Sequence, residues 1–326
     1  MNNTFRIICD EEDMRLDVLL SERLSLTRTK VKDMIERGYV RIAGRSPKPS
    51  LKVKKSMEVE GEIPEEEPLT IVAQAIPLDI IYEDNYLLAI NKPAGMVVHP
   101  SFGHSEGTLV NAVLGYLGQR CEEQGARNEE SKTTLNAERR TLNAEPAGSA
   151  IRPGIVHRLD KGTTGVIIVA KDTKTQEMLS DLFKERRVRK VYLAIVEGAP
   201  KDEEWTVEEN IGRHPVERKK MAVLKGKGRS ALTRFKVLER LNGFAYIEAC
   251  PRTGRTHQIR VHLACSGHSI VGDELYGKRS KRLAGRPFLH AWRIEFAHPV
   301  SKEPVSIQAA VPEDMLEFIE SAKRKS

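Results

Sequence analysis

Apolar residues at helical spacing predict two short helices in the first seventy residues. Their apolar faces consist of Leu16, Leu19 and Leu20, then Val31, Met34 and Ile35. Thr27 is placed to cap the second helix at its N-terminus, and Gly38 to end it in a left-handed conformation. Alternating positions at residues 39–42 and 51–59 predict two strands, joined by the turn-rich segment AGRSPKPS. The pattern therefore indicates a small helix–helix–strand unit.

Two changes in composition divide the chain. Six glutamates and two prolines between residues 58 and 68 predict an extended, solvated linker. We therefore expect one domain over residues 13–70 and a second over residues 76–326. Residues 121–150 contain the repeat TLNAERR and TLNAEP and few large apolar side chains. Because such a segment cannot bury enough surface to fold alone, we expect a disordered surface insertion there and assign it no function.

Strands outnumber helices in the second domain. Buried or alternating apolar patterns predict strands at residues 87–91, 166–170, 190–197 and 243–250. Asp172 is placed to cap a helix that runs through residue 185. The order of elements has no regular βαβ rhythm, so we expect an α+β domain with a largely antiparallel mixed sheet flanked by helices.

Composition narrows the class of protein and its partners. The 326 residues carry 53 Lys and Arg against 46 Asp and Glu, a formal net charge of +7, and the isoelectric point is near 9.1. This balance favours polyanionic partners. There is no long apolar run, no early apolar segment of a signal peptide and no CxxC pair among the four cysteines. We therefore expect a cytoplasmic protein with reduced thiols, and not a membrane protein, a disulfide scaffold or a disordered chain.

Positive charge is concentrated in the N-terminal unit. Between residues 28 and 55 there are ten Lys and Arg against Asp33 and Glu36. A solvated helix face and a charged loop would give the same run. Because the cations fall on one compact unit, we favour a surface that contacts phosphates. Its candidate RNA-binding residues are Arg28, Lys30, Lys32, Arg37 and Arg41.

The segment GIVHRLDKGTTGVIIVAK, residues 154–171, is the first candidate for chemistry. Asp160 lies at a strand–loop junction between Arg158 and Lys161, and these cations favour its ionised form. A turn aspartate that accepts the N–H of Gly162 or Thr163 is the alternative. Charged residues in a loop flanked by apolar strands are typical of a site presented on a rigid scaffold.

The segment CPRTGRTHQIRVHLACSGH, residues 250–268, is the second candidate. Thr256 is placed to cap a helix that ends near residue 267, with His257 and Arg260 on one face. The His and Cys spacings match no zinc pattern, and Arg255 and Arg260 would repel a cation, so a metal site is not expected. The arginines favour recognition of phosphate or carboxylate. A third segment, INKPAGMVVHP at residues 90–100, has turns that simple loop punctuation would also explain.

Four blocks of this sequence resemble, in the same order, those of the RluA/RluD family of pseudouridine synthases. They are NKPAGMVVHP at residues 91–100, HRLDKGTTG at 157–165, KVYLAIVEG at 190–198 and RTGRTHQIRVHLA at 252–264. The N-terminal unit is similar to an S4 RNA-binding domain. The combination looks most like the RluD branch, which acts on large-subunit ribosomal RNA. Thr164 stands where the family pattern usually has Ser, and both residues keep a hydroxyl.

The resemblance implies that a uridine within RNA is isomerised to pseudouridine without cofactor or metal. It implies that Asp160 is the essential aspartate, Arg158 helps to hold the flipped nucleotide, and Tyr192 packs against the base. Arg260 is favoured over Arg255 as the basic partner of the aspartate. Further RNA contacts are expected from His157, Arg255 and His257. We expect a monomer whose partner is ribosomal RNA, in the large ribosomal subunit or its precursor.

One carboxylate in a dry pocket suits an isomerase, because hydrolytic glycosidases use a second one to activate water. The sequence leaves open whether Asp160 attacks C1′ or removes a sugar proton. A non-catalytic RNA-binding or ribosome-assembly factor is the alternative from another class, based on the basic N-terminal unit. A nucleoside hydrolase is the third hypothesis. It is disfavoured because the sequence motifs contain no evident second carboxylate.

Overall fold

The computed structural model describes residues 4–64, 71–100, 106–125, 154–277 and 283–324. The chain divides into two compact units, Met1–Thr70 and Ile71–Ser326. In the described part of the chain, no helix is both long enough and apolar enough to cross a membrane.

The N-terminal unit packs two helices and a three-stranded antiparallel sheet around one apolar core. The helices are α1 (Leu16–Arg23) and α2 (Arg28–Glu36), and the strands are β1 (Thr4–Ile8), β2 (Val40–Arg41) and β3 (Glu58–Glu62), in the order β1-β3-β2. Both predicted apolar faces are buried in this core. The Thr27 side chain accepts the N–H of Lys30, and Gly38 has a φ of +82°. Both predicted ends of α2 are thus confirmed.

The first part of the glutamate-rich segment is a strand and not a linker, and residues 65–68 of the predicted linker lie outside the described residues. Glu58–Glu62 forms β3, which pairs with both β1 and β2. Val59 points into the core while the flanking glutamates face outward, so the acids that suggested a linker are the solvent side of a central strand. The strand predicted over residues 51–59 is also wrong, since only its last two residues are in β3.

The second unit is built on one ten-stranded sheet. Its strands are β4 (Ile80–Glu83), β5 (Leu87–Lys92), β6 (Thr164–Ala170), β7 (Arg189–Glu197), β8 (Glu204–Arg213), β9 (Met221–Val223), β10 (Arg229–Leu241), β11 (Phe244–Pro251), β12 (Leu289–Ala297) and β13 (Pro304–Gln308). The order is β4-β5-β6-β12-β7-β11-β10-β8-β9, with β13 paired to β12. Among the described strands, β6 and β12 are the neighbours that run parallel. The predicted α+β fold with a largely antiparallel mixed sheet is confirmed.

Among the described residues, four helices accompany this sheet: α3 (Leu109–Gly125), α4 (Thr173–Lys184), α5 (Gln258–Cys265) and α6 (Glu313–Arg324). The Asp172 carboxylate accepts the N–H of Thr175, which confirms it as the cap of α4. Helix α3 reaches Gly125, so the expected disorder is wrong for Cys121–Gly125, where Glu and Gln are good helix formers. Residues 126–150 of the expected insertion lie outside the described residues.

Candidate active site

Asp160 lies in a cavity of about 570 Å³ in the second unit. The walls come from the loop before β6, from β7, and from residues 251–260, which lead into α5. Of the described residues that line it, Asp160 alone is acidic. Seven of the lining residues are cations: Arg158, Lys184, Arg186, Lys190, Arg252, Arg255 and Arg260. The cavity is therefore suited to a polyanion whose phosphates surround one central carboxylate.

The turn that carries Asp160 is held by its backbone. The Thr163 N–H donates to the main-chain carbonyl of Asp160 at 3.0 Å, so the carboxylate is not used as a turn cap. Gly165, with a φ of +108°, lets β6 approach β12: a Cβ there would lie 2.2 Å from the carbonyl oxygen of Ala291. The Thr164 hydroxyl is buried and lies 2.9 Å from Nδ1 of His290 on β12. The turn is thus fixed between two strands, while the Asp160 side chain stays 22% exposed.

Arg260 is the basic partner of Asp160. Its Nη1 lies 3.0 Å from Oδ2 of Asp160, whereas the Arg255 Nε donates to the carbonyl of Ser230 at 3.1 Å. The other edge of the Arg260 guanidinium faces Asp273: Nε and Nη2 donate to its two carboxylate oxygens at 2.7 and 2.8 Å. Burial lowers the pKa of Arg260, but the hydrogen bonds and charge of Asp273, and then Asp160, raise it above its ordinary value. Arg260 is therefore a permanent buried cation between two carboxylates.

His257 occupies the N-cap position of α5 in a left-handed conformation, with a φ of 55°. The predicted cap by Thr256 is wrong by one residue, and His257 makes no side-chain cap because its ring is used elsewhere. Nδ1 lies 2.9 Å from the hydroxyl of Tyr276, and Nε2 lies 3.8 Å from Oδ2 of Asp160. Burial lowers the pKa of His257, and the charge of Asp160 opposes this shift. The imidazole thus connects the carboxylate to Tyr276.

Tyr192, on β7, lines the same cavity. Its neighbours across the sheet are Ala249 of β11 and Ala291 of β12. Burial raises the pKa of Tyr192, and the charge of Asp160 raises it further. The phenol therefore keeps its proton at neutral pH, and its ring forms an apolar wall of the site.

Arg158 and His157, two other predicted site residues, also line the cavity but differ in exposure. Arg158 is exposed. His157 is held inward: its Nε2 accepts the N–H of Ile168 at 2.9 Å, and its ring stacks on Phe183 at 4.8 Å between centroids. Burial, with a smaller effect of Lys190, lowers the pKa of His157 to about 3. His157 is therefore a neutral support for β6, and an RNA contact by it stays a prediction.

Sequence reasoning missed Lys92, which ends β5 within the third candidate segment. It is fully buried, and its Nζ donates to the carbonyls of Pro93, Met96 and Lys161 at 2.7, 2.9 and 3.3 Å. Burial lowers the pKa of Lys92 to about 8, against the opposing charge of Asp160. The Gly95 N–H also donates to the Lys161 carbonyl at 2.8 Å. This segment is thus more than loop punctuation, because it anchors the residue that follows Asp160.

Asp273 and Tyr276 were missed as well. Both come after α5, in the segment GDELYG, where no charge cluster or motif had drawn attention to them. The Tyr276 hydroxyl accepts the N–H of Met221 at 2.8 Å, and the Arg260 guanidinium lies over its ring, 5.1 Å from the centroid. Two adjacent acids after a glycine carry little signal until the fold brings one of them, Asp273, to Arg260.

A second basic segment also escaped the sequence reasoning. Residues 213–229, which join β8, β9 and β10, have seven Lys and Arg against one acid, Glu217. These cations are Arg213, Arg218, Lys219, Lys220, Lys225, Lys227 and Arg229. All but Lys220 are exposed. We call this segment the basic hairpin; it adjoins the cavity through the Arg255–Ser230 and Tyr276–Met221 hydrogen bonds.

The predicted cations of the N-terminal unit lie on and near α2. Arg28, Lys32 and Arg37 pair with Asp17, Glu36 and Asp33 at 2.9, 3.4 and 3.0 Å. These three cations are more than half exposed, although Asp17 is itself buried. The exposed pairs Lys32–Glu36 and Arg37–Asp33 are weak, so phosphates can compete for those two cations. Lys30 is half-buried and Arg41 is exposed. Binding of RNA by these particular residues stays a prediction.

No group of three or more His, Cys, Asp or Glu within the described ranges is arranged to hold a metal ion. The His and Cys residues near α5 are engaged with protein groups instead. Nδ1 of His262 lies 2.9 Å from the Thr233 hydroxyl, and Nδ1 of His268 lies 3.0 Å from the Glu197 carbonyl.

Comparisons with known proteins agree with this geometry. The family model described as RNA pseudouridylate synthase matches residues 86–265, and that of the S4 domain matches residues 14–59. An uncharacterized RNA pseudouridine synthase of Synechocystis is 41% identical over 307 residues, which cover 92% of this chain and 86% of that protein. Ribosomal large subunit pseudouridine synthase D of Neisseria meningitidis is 37% identical over 319 residues, covering 94% and 78%.

A solved structure has the same fold. Human RNA pseudouridylate synthase domain containing 1 aligns with a TM-score of 0.55 and 26% identity, over 77% of this chain and 89% of that one. The family matches cover the Asp160 turn, Tyr192 and Arg260 within one domain. The chain therefore belongs to the RluA/RluD family of RNA pseudouridine synthases, which are RNA-binding isomerases, and it carries an S4 domain ahead of the catalytic one.

Proposed function

We propose that this enzyme isomerises uridines of large-subunit ribosomal RNA, with Asp160 as its catalytic carboxylate. The observation that carries the proposal is the position of Asp160: a partly exposed carboxylate, 3.0 Å from a buried arginine, in a cavity whose other described Asp, Glu, Lys and Arg residues are all cations. The relative named for the ribosomal large subunit, at 37% identity, supports this choice of RNA.

The target uridine must leave its stack to reach Asp160. Flipping a base costs a few kcal/mol, and phosphate contacts by the cations around the cavity would supply that free energy. We assign these contacts to Arg158 and Arg255, which line the cavity, to the basic hairpin, and to the exposed cations of α2 in the S4 domain. Loops and bulges are the favoured targets, since their bases unstack most easily.

The reaction breaks the N1–C1′ bond and joins C5 to C1′, so N1 gains a proton and C5 loses one. The Asp160 carboxylate either attacks C1′ or removes a sugar proton to start this exchange. Arg260 donates a hydrogen bond to that carboxylate and so fixes one of its oxygens. Tyr192 holds a proton on its hydroxyl while its ring packs against the base. The detached uracil turns within the cavity before C5 bonds to C1′.

The arrangement disfavours hydrolysis. Asp273, the other carboxylate bound to Arg260, is fully buried and accepts four N–H groups, two from Arg260 and those of Leu275 and Tyr276. It therefore has no free oxygen to activate water, as an inverting glycosidase requires. Every side chain that we assign to the chemistry comes from one unit of one chain, so a monomer is sufficient for the proposed reaction. We propose that this monomer acts in the cytoplasm.

The test replaces Asp160 by Asn, which keeps the shape of the side chain and removes its charge. Tritium release from RNA labelled at C5 of uridine should fall to background, while the Kd for the same RNA stays within about threefold of wild type. Wild-type activity in Asp160→Asn would disprove the catalytic role.

The substrate is tested separately. Pseudouridines in the ribosomal RNA of cells with and without the gene should differ at one or more large-subunit positions. Loss of a pseudouridine only from small-subunit or transfer RNA would refute the choice of substrate but leave the chemistry intact. Unchanged pseudouridine in every RNA, together with impaired ribosome assembly, would favour the non-catalytic alternative.

A further inference from the structure

We propose that Asp273 is a positioning residue that dictates which edge of Arg260 meets the catalytic carboxylate. The inference rests on the proposed role of Asp160 and deepens it. Asp273 takes Nε and Nη2 of Arg260, the pair of donors with which a guanidinium usually grips a carboxylate. Only Nη1 remains for Asp160, at 3.0 Å.

The consequence concerns the oxygens of Asp160. Nη1 of Arg260 and, at longer range, Nε2 of His257 both face Oδ2. Within the described part of the chain, Oδ1 of Asp160 accepts no hydrogen bond. If Asp273 did not bind Nε and Nη2 of Arg260, the guanidinium could turn this pair of donors toward Asp160 and bind both of its carboxylate oxygens. Asp273 thus leaves one oxygen of the catalytic carboxylate available to the ribose.

Asp273 can play this part because it is itself immobile. Its side chain has 0% exposure, and Oδ1 also accepts the N–H groups of Leu275 and Tyr276 at 3.0 and 3.1 Å. These bonds close a turn that presents the Tyr276 ring to the guanidinium, 5.1 Å from its centroid. Both oxygens of Asp273 therefore accept hydrogen bonds, which holds this carboxylate in place within the buried ionic network.

The backbone before Asp273 is tied to the strand that carries Tyr192. The Val271 N–H donates to Ile195 of β7 at 2.9 Å, and the Phe288 N–H donates to Val271 at 2.9 Å. Gly272, with a φ of +76°, allows this approach, because a Cβ there would lie 2.0 Å from the carbonyl oxygen of Arg286. Through this backbone, Asp273 fixes the position of Arg260 relative to β7. The same strand carries Tyr192, the wall for the base.

The experiment compares Asp273→Asn in the wild-type enzyme and in an R260K background, with an in vitro transcript of large-subunit ribosomal RNA that the wild type modifies. In the wild-type background we expect kcat to fall by up to about 100-fold, with the RNA Kd unchanged, since a small misplacement of a catalytic group has that effect. In R260K, whose ammonium has no second edge, Asp273→Asn should lower kcat by less than about threefold. An equal loss in both backgrounds would mean a general structural role and overturn the inference.

Folding is checked by circular dichroism and urea unfolding for every variant. The matched control is Glu83→Gln, which removes another largely buried carboxylate, paired with Lys171 at 2.7 Å, from the same unit. It should lower stability and leave kcat unchanged. If the double variant does not fold, the single variant decides: unchanged kcat, or a loss explained entirely by Kd, would overturn the inference.

The wild type and Asp160→Asn are assayed alongside. A wild type that modifies no RNA would refute the proposed function. An active wild type, an inactive Asp160→Asn and a fully active Asp273→Asn would refute this inference alone.

Discussion

Nη1 of Arg260 lies 3.0 Å from Oδ2 of Asp160, although the two residues are 100 positions apart in the chain. A lysine at position 260 would keep the charge but could not donate to Asp273 through a planar fork and reach Asp160 as well. We therefore expect Arg260→Lys to lower kcat by about 10- to 100-fold, the effect of losing a charge-assisted hydrogen bond of about 1.5–3 kcal/mol. Single-turnover rates at saturating enzyme measure this directly.

Arg255 supplies the comparison, since it was the other candidate partner for Asp160. Arg255 lines the cavity, and its Nε donates to the carbonyl of Ser230 and not to Asp160. Arg255→Gln should therefore raise KM for RNA more than it lowers kcat. A large loss of kcat in Arg255→Gln, with none in Arg260→Lys, would reverse the two roles.

The phenol of Tyr192 provides the second prediction. Burial and Asp160 keep its hydroxyl protonated, so Tyr192→Phe removes a proton donor and leaves the aromatic wall in place. We expect kcat to fall by about 10²–10⁴-fold, the usual contribution of general acid–base catalysis, with RNA affinity unchanged. Tyr192→Leu should lose both rate and affinity, because it also removes the stacking surface. Equal kcat in Tyr192→Phe and the wild type would limit the residue to packing.

The residues with motif signals were predictable, and those that depend on chain crossings were not. Asp160 stood out because cations and apolar strands flank it, and Arg260 because arginines are dense around α5. Asp273 belongs to no motif recognised in the sequence, and its role appears only where residues 270–273 pass beside β7. Lys92 was overlooked because a lysine at a strand end is ordinarily solvated, whereas this one is fully buried among carbonyls.

Prediction of the strands from the sequence was limited in the same way, because pairing between distant segments is not visible in local patterns. Buried runs such as residues 166–170 identified central strands, since both faces are apolar. The Glu58–Glu62 strand was mistaken for a linker because its exposed face is entirely acidic and one core residue, Val59, anchors it. Pairing with β1 and β2 makes this segment a strand, and the charge pattern along the sequence does not reveal that pairing.

The buried Lys92 predicts a specific dependence of stability on pH. Its pKa is about 8 in the folded protein and near 10.5 when exposed, so between these values the unfolded chain binds more protons. The free energy of unfolding of the wild type, relative to Lys92→Met, should therefore rise between pH 8 and pH 10.5, by about 3 kcal/mol at 1.36 kcal/mol per unit. Below pH 8 both states carry the proton and the difference should be flat.

Urea unfolding of both proteins at several pH values between 7 and 10 measures this difference. The difference between the two proteins cancels the titration of Lys190, whose pKa burial also lowers to about 8. Parallel curves over the whole range would show that Lys92 is solvated in the folded protein.

Thr164 tests whether the hydroxyl of the Asp160 turn is structural. It is buried and lies 2.9 Å from Nδ1 of His290, and it does not line the cavity. We expect Thr164→Ala to cost about 1–3 kcal/mol, because it leaves a buried ring nitrogen unpaired. Thr164→Ser should recover most of that loss, since serine keeps the hydroxyl. Urea unfolding gives the stabilities; a loss of kcat at full stability in Thr164→Ala would instead assign the hydroxyl to catalysis.

The basic hairpin provides the final prediction, on how RNA approaches the cavity. Lys219, Lys225 and Lys227 are exposed, and their segment is joined to the site by the Tyr276–Met221 hydrogen bond. If all three contact phosphates, changing them to Gln should make the plot of log affinity against log salt shallower by about 2, at roughly 0.7 per contact for single-stranded RNA. At saturating RNA, kcat should be unchanged, because none of the three lines the cavity.

The matched control changes Lys201, Lys302 and Lys323 to Gln. These lysines are exposed and lie outside both the cavity lining and the basic hairpin, and their replacement lowers the net charge by the same three units. Because counterion release depends on cations at the interface and not on total charge, the control should weaken binding slightly and leave the salt slope unaltered. Equal slopes for the two triple variants would remove the basic hairpin from the RNA interface and leave the cations of the cavity and of α2 to hold the substrate.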